Sequence, residues 1–379
     1  MPERRALGFG RRAEEPMTSG NGKDDERPWP KDAAKLDEDA AVALLPERPA
    51  RGHKGSFGKL LVIAGSLDYA GAALLVCRAA GRTGVGLVTL AVPETLQPLF
   101  AAKVVEATTM ALPEDDVEEV DPEHALARIL DHEHDALVVG PGLRPGLATA
   151  ELVRELLVAV PDDPRPPLVL DAEALRSLAS MDAWWEGDRR AAVLTPHAGE
   201  FSRLRTGSGV EAPADGDLVD DDDARVAAAK DAAATWHQVV VLKGARTVIA
   251  APDGSVSVAT FENPALATGG TGDVLAGTIG ALLAQGLEPF AAARLGVFLH
   301  GTAGESVRER FGDAGLLASD LPDAIAMARR RLATVAERRN SDKRLGFRVR
   351  EPVGAVPAGG PPADQAAPEP PSPPDPTPA

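Results

Sequence analysis

The chain has 379 residues, 44% of them hydrophobic, which is room for one large domain or two ordinary ones around a core and excludes disorder throughout. Its formal net charge of −17 excludes sequence-nonspecific nucleic-acid binding, because that requires clustered Lys and Arg to neutralise phosphates. Small molecules are the expected partners, with no nucleic acid and no membrane.

Residues 1–35 are polar and charged without an apolar period, and are expected to be a disordered tail because they cannot bury enough to offset their ordering entropy. They lack the apolar core of a signal peptide, and no uncharged apolar run approaches membrane-spanning length. A cytoplasmic protein is therefore expected. Short β-rich runs then alternate with alanine-rich helical stretches; the apolar runs are residues 60–64, 87–92, 136–140, 168–171, 192–195 and 239–243. Continuous apolar strands separated by helices predict an α/β fold, a mostly parallel central sheet covered by helices on both faces. Cys77, the only cysteine, lies in apolar residues 72–77; it can form no intrachain disulfide and reads as a buried small hydrophobe. The acidic run Asp220-Asp221-Asp222-Asp223 precedes a helix from Ala224 to about Trp236 and reads as a solvated loop favouring that helix N-terminus, with no chemical role. Residues 247–251 and 255–259 flank Pro252-Asp253-Gly254 and predict a β-hairpin. From Val274 to about Glu337 the pattern is mostly helical, with Pro289 and Pro322 near helix starts. From about Asn340 the chain turns Pro- and Ala-rich and is expected to form a second disordered tail.

Parallel sheets bind ligands at the carboxyl ends of their strands, and polar groups gather there. After one strand, Gly140-Pro141-Gly142 could let a ligand approach the backbone or simply turn the chain. Asp171 ends the next, where its carboxylate could hold Mg²⁺ through water or, as the safer single role, cap the following helix. Thr195-Pro196-His197 and Glu200 follow another, open to a ligand contact or to a plain helix start. Lys243-Gly244-Ala245-Arg246-Thr247 closes the next; a strand-end lysine followed by glycine suits a polyphosphate, and an ordinary hairpin is the alternative. Glycine-rich residues 53–59 and 65–72 flank the first apolar run and could close over a ligand or serve as connections. Of the histidines, His132 and His134 lie in a charged turn, His124 and His237 in helical pattern, and His300 reads as a packed helix residue; none is assigned as a metal ligand.

The segment from Asn263 to Asp273 is the most informative. It ends Gly269-Gly270-Thr271-Gly272-Asp273 and runs into an apolar helix. A glycine-rich turn opening a helix presents unpaired N–H groups and the positive end of the helix dipole. Backbone amides of Gly270, Thr271 and Gly272 are expected to form an anion hole, with Asp273 as a base beside it. Phosphoryl transfer needs both, since charge spreads over phosphate oxygens while a carboxylate takes the proton of the attacking hydroxyl.

Six motifs in this order carry a resemblance: His53-Lys54-Gly55-Ser56-Phe57-Gly58; Gly65-Ser66 with Tyr69-Ala70-Gly71-Ala72; Gly140-Pro141-Gly142-Leu143; Thr195-Pro196-His197-Ala198-Gly199-Glu200; Lys243-Gly244-Ala245-Arg246-Thr247; and Ala267-Thr268-Gly269-Gly270-Thr271-Gly272-Asp273. They resemble the NAD(P)H-hydrate dehydratases of the ribokinase-like superfamily. The resemblance implies a ribokinase-like domain over residues 36–338, between tails at 1–35 and 339–379. It implies a hydro-lyase of metabolite repair, which returns the S form of hydrated NADH or NADPH (NADHX, NADPHX) to the reduced cofactor. ADP would be the co-substrate as in bacterial members, or ATP as in eukaryotic ones, with Mg²⁺. Ala72, Gly142, His197 and Asp273 would contact the hydrate; Lys243, Gly244, Ala245, Arg246, Thr247 and Gly272 would hold the nucleotide. A homo-oligomer, a tetramer, is implied as well. Two departures stand out: Asp171-Ala172-Glu173 where the family usually shows Asp-Ala-Asp, and Val105-Glu106 where it shows Pro-Glu. The N-terminal epimerase domain of many bacterial members is expected to be absent. Two alternatives remain open: a small-molecule kinase of the same superfamily, acting on a hydroxyethylthiazole or a pyridoxal, and a nucleotide-binding regulator without catalysis.

Overall fold

Each apolar run read from the sequence is a strand, and its alternate side chains enter cores on opposite faces of one sheet. The structure, a computed structural model, describes residues 28–158, 165–208 and 217–344. The chain divides into two compact units, residues 1–336 and 337–379; of the second, the described part is the helical end 337–344.

The strands are β1 (Ala34–Leu36), β2 (Lys59–Ile63), β3 (Leu87–Pro93), β4 (Thr108–Leu112), β5 (Glu114–Asp116), β6 (Glu119–Val120), β7 (Ala136–Val139), β8 (Leu168–Leu170), β9 (Ala192–Leu194), β10 (Val239–Leu242), β11 (Val248–Ala250) and β12 (Val256–Ala259). Ten form one sheet in the order β1-β12-β11-β10-β9-β8-β7-β2-β3-β4, and β5 pairs with β6 separately. All neighbours from β10 to β4 are parallel, whereas β11 runs antiparallel between β10 and β12.

The helices are α1 (Glu38–Ala43), α2 (Ala70–Thr83), α3 (Gln97–Ala101), α4 (Pro122–Asp131), α5 (Leu147–Leu157), α6 (Glu173–Ala179), α7 (Ala198–Gly207), α8 (Asp217–Asp220), α9 (Asp222–Trp236), α10 (Thr271–Ala284), α11 (Pro289–Phe311) and α12 (Leu321–Arg344). On β2, Leu60 and Val62 pack with Val76 of α2 and Ile279 of α10, while Leu61 and Ile63 pack into the core that holds Leu156 of α5 and Phe201 of α7. The period of two along a strand makes this division. Helix α10 is buried along nearly its whole length, so it reads as apolar all round rather than amphipathic. Its glycines set how closely it lies: a Cβ on Gly277 would come within 2.4 Å of Val76 O on α2, and one on Gly280 within 2.3 Å of Val138 Cγ2 on β7.

The structure corrects several expectations. β1 straddles the expected tail boundary at residue 35, because three residues paired along β12 gain order that no sequence period announces. At the other end α12 continues past residue 338 to Arg344. Strands β4, β5 and β6 were also not read from the pattern, being short or polar. His237 stands beyond the end of α9 as its left-handed cap, at φ +55°. Residues 1–27 and 345–379, which make up most of the expected tails, lie outside the described residues. Cys77 is buried, and burial pushes its thiol up to about 12, so it is inert at neutral pH.

Candidate active site

The carboxyl ends of β8 and β10 meet at an ion pair. Lys243 follows β10, and its Nζ donates to Oδ1 of Asp171, just after β8, at 2.8 Å. Glu200 Oε2 lies 3.7 Å from the same ammonium. Burial works against the charge on Lys243, but the carboxylates of Asp171, Glu200 and Asp273 outweigh it and hold the pKa above the ordinary lysine value. Asp171 is 2% exposed. It does not cap α6: Ala172 is the N-cap, makes no side-chain cap bond and sits at φ +50°, ψ −115°. That backbone, sparsely populated for a residue with a Cβ, turns the chain into α6, while the Asp171 carboxylate is held by Lys243.

The N-terminus of α10 faces this pair. A Cβ built on Gly272 would lie 3.5 Å from Lys243 Nζ and 3.8 Å from Asp171 Oδ2. The N–H groups of Gly270, Gly272 and Asp273 have no acceptor among the described residues. Thr271 is the correction: its N–H reaches Thr268 O at 3.4 Å and its hydroxyl donates to Leu266 O and Thr268 O, so its amide is already engaged. Beneath the turn, His300 Nε2 is 2.9 Å from Thr271 O; burial pushes this imidazole down to about 4, so it stays neutral and holds the turn in place. Asp273 stands in the first turn of α10. Burial, and then the neighbouring Asp171 carboxylate, push its pKa up to about 7, against the opposing pull of Lys243.

Two clefts open on this first turn. One, of about 500 Å³, is lined by Lys243, Gly244, Ala245, Thr247, Gly272 and His300, together with apolar Phe261, Leu266 and Leu275. The other, of about 370 Å³, is lined by Ala72, Gly142, Glu200 and Asp273, with Tyr69 and Glu173. Gly142 makes that second meeting possible. At φ +67°, a Cβ there would strike Tyr69 O at 2.7 Å and Ala72 Cβ at 2.8 Å, so only glycine lets the two loops touch. Successive residues, Gly272 and Asp273, thus belong to two different clefts.

Two expected residues stand apart. The Arg246 side chain is outside the first cleft: it pairs with Asp222 Oδ2 at 3.2 Å and Glu262 Oε1 at 2.6 Å. His197 lines neither cleft; it is the N-cap of α7, its side chain 56% exposed and its Nδ1 accepting from Gly199 N at 3.1 Å. Glu200, three residues on, completes that cap by accepting from His197 N at 2.9 Å and points on to Lys243.

His300 is the packed helix residue that its pattern predicts, whereas sequence reading missed Asp222 and Arg225. The acidic run reads as a solvated loop, yet Asp222 opens α9, with its side chain 12% exposed and paired with Arg246. Arg225, buried on α9, donates to Leu242 O at 3.2 Å and to Ala245 O, bracing the loop after β10 from beneath. An arginine and an aspartate three apart in an alanine-rich helix were the only signal, and that spacing is common on solvated helices. Among the described residues no group of three or more His, Cys, Asp or Glu is gathered as for a metal ion, and no helix is long and apolar enough to cross a membrane.

Residues 60–327 match the family described as NAD(P)H-hydrate dehydratase. The bifunctional NAD(P)H-hydrate repair enzyme Nnr of Moorella thermoacetica is 42% identical over 300 residues, 77% of this chain and 53% of its own length. The ADP-dependent (S)-NAD(P)H-hydrate dehydratase of Xanthomonas campestris is 35% identical over 292 residues, 76% of this chain and 93% of its own length. A crystal structure of the ADP/ATP-dependent NAD(P)H-hydrate dehydratase from Bacillus subtilis, co-crystallised with ATP and Mg²⁺, superposes with a TM-score of 0.66 at 33% identity, covering 79% of this chain and 99% of that one. The chain spans about half the length of the bifunctional relatives it matches.

Proposed function

The chain belongs to the NAD(P)H-hydrate dehydratase family, and we propose on that premise that it removes water from the S form of hydrated NADH or NADPH at the expense of ADP. The observation that carries the reading is the pair of clefts meeting at the first turn of α10, with a carboxylate whose pKa is about 7 at the junction. ADP fits the first cleft: its phosphates meet Lys243, the amides of Gly272 and Asp273 and the dipole of α10, and its base meets the apolar wall of Phe261 and Leu266. Arg246 serves that cleft through its loop rather than by direct contact. The hydrated ring fits the second, between Ala72, Gly142 and Asp273.

The chemistry follows from the junction. Asp273 takes the proton of the ring C6 hydroxyl, and that oxygen attacks the terminal phosphorus of ADP as the bridge to AMP breaks. The amides at the head of α10 stabilise the charge that develops on the phosphate oxygens. Phosphate then leaves C6, pushed by the ring nitrogen lone pair; a proton is lost from C5 and the dihydronicotinamide is restored. Hydroxide is a poor leaving group and phosphate a good one, which is why a dehydration consumes a nucleotide. Mg²⁺ suits the donor set, since it binds through one or two carboxylates and completes its shell with water and nucleotide phosphates. Asp171 would hold it, and when bound it spreads the phosphate charge. A cytoplasmic homo-oligomer, tetrameric like the family, completes the reading.

The test is absorbance at the dihydronicotinamide band with hydrated NADH and ADP. The wild-type protein restores it. Asp273→Asn should lose about three or more orders of magnitude in kcat while still binding ADP, in line with removal of a general base and its electrostatic role together; activity near wild type would place the base elsewhere.

A further inference from the structure

The second cleft carries two cations that this chemistry does not use. Arg176 on α6 and Arg203 on α7 both line it, on helices that pack side by side. Arg176 is 3.6 Å from Glu173, at the outer limit of an ion pair. Arg203 is exposed and has no hydrogen-bond or ion-pair partner among the described residues. The other charged groups of the wall are Glu173, Glu200 and Asp273, and Glu200 is already engaged by His197 N and Lys243.

An exposed arginine is ordinarily just solvated. This one shares a cleft with the carboxylate that faces the reacting ring. At about 370 Å³ the cleft is at the small end of ligand sites and takes one half of a dinucleotide rather than the whole. With the hydrated ring at Asp273, the next anionic group along the substrate is the diphosphate that joins the two nucleosides. A guanidinium is the group whose planar fork matches phosphate oxygens two at a time. We propose that Arg203, with Arg176 beside it, holds the diphosphate of the hydrated dinucleotide. The proposal rests on the reading of this cleft as the hydrate site. The 2′-phosphate that separates NADPH from NADH lies on the far adenosine, so the subsite recognises a dinucleotide without choosing between the two.

The experiment compares hydrated NADH and hydrated NADPH with hydrated dihydronicotinamide riboside, which carries no phosphate, on the wild type, Arg203→Glu and Arg203→Lys. Arg203→Glu should lower kcat/KM for hydrated NADH by about tenfold or more, mainly through KM, and change that for the riboside by less than about twofold, with Arg203→Lys recovering part of the loss. Equal effects on hydrated NADH and the riboside, or none, would overturn the proposal, and an effect confined to hydrated NADPH would move Arg203 to the 2′-phosphate instead. Fluorescence titration with NADH, whose diphosphate is the same, needs no turnover: binding weakened by Arg203→Glu supports the subsite, and unchanged binding rejects it. A wild-type protein that binds NADH through Arg203 yet restores no hydrate would refute the proposed reaction and leave the subsite standing.

Discussion

Asp273 is the residue on which most of the proposed chemistry depends, and its environment sets a pH dependence. Burial first, then the Asp171 carboxylate, disfavours its ionised form, while Lys243 favours it; the balance leaves it titrating at about 7. A base acts ionised, so kcat/KM at saturating ADP should rise with pH through about 7 and level off above it. Asp273→Asn removes that limb, and a residual profile with the same rise would assign the titration to another group. Much of this residue-level picture was legible in the sequence. Their motifs single out Asp273, Lys243 and Gly142, and the structure places Lys243 in one cleft and Gly142 and Asp273 in the other. Asp171 was not legible as an ion-pair partner, because a carboxylate at a strand end reads equally as a cap until the position of a lysine 72 residues away is known.

At the scale of elements, α10 positions the site, and its glycines fix where it lies. A Cβ at Gly277 would fall within 2.4 Å of the Val76 carbonyl oxygen, a backbone atom that cannot swing aside. Gly277→Ala should therefore cost about 1–3 kcal/mol, as overpacking does. Gly81→Ala on the exposed side of α2, where nothing lies within 4 Å, should stabilise by about 0.5–1 kcal/mol through helix propensity alone. Thermal denaturation of the two variants checks the contrast, and equal shifts would show that α10 is free to move. The strand-and-helix alternation was read correctly from the apolar runs, because strands buried on both faces are aliphatic throughout. β1 and β4 escaped because edge strands need no such run.

Across the whole molecule, the Lys243–Asp171 pair ties β10 to β8 in front of α10, so one substitution should act on both stability and binding. Lys243→Met leaves Asp171 buried without its partner, which can cost about 3–5 kcal/mol; adding Asp171→Asn should recover most of the lost Tm. ADP at about 100 times its Kd should stabilise the wild type by about 2.7 kcal/mol. Both Lys243 variants should lose most of that shift, and a full shift in either would remove Lys243 from the nucleotide site. The family, the sheet and the glycine-aspartate turn were determined by the sequence alone, since apolar period, turn chemistry and motif order are local properties of the chain. Tertiary structure alone decided that Gly272 and Asp273 belong to two clefts, that Arg246 braces its loop instead of lining the site, and that Asp222 and Arg225 support it from below. Those outcomes depend on which strand ends and helices the fold brings together, and separation along the chain carries no record of that distance.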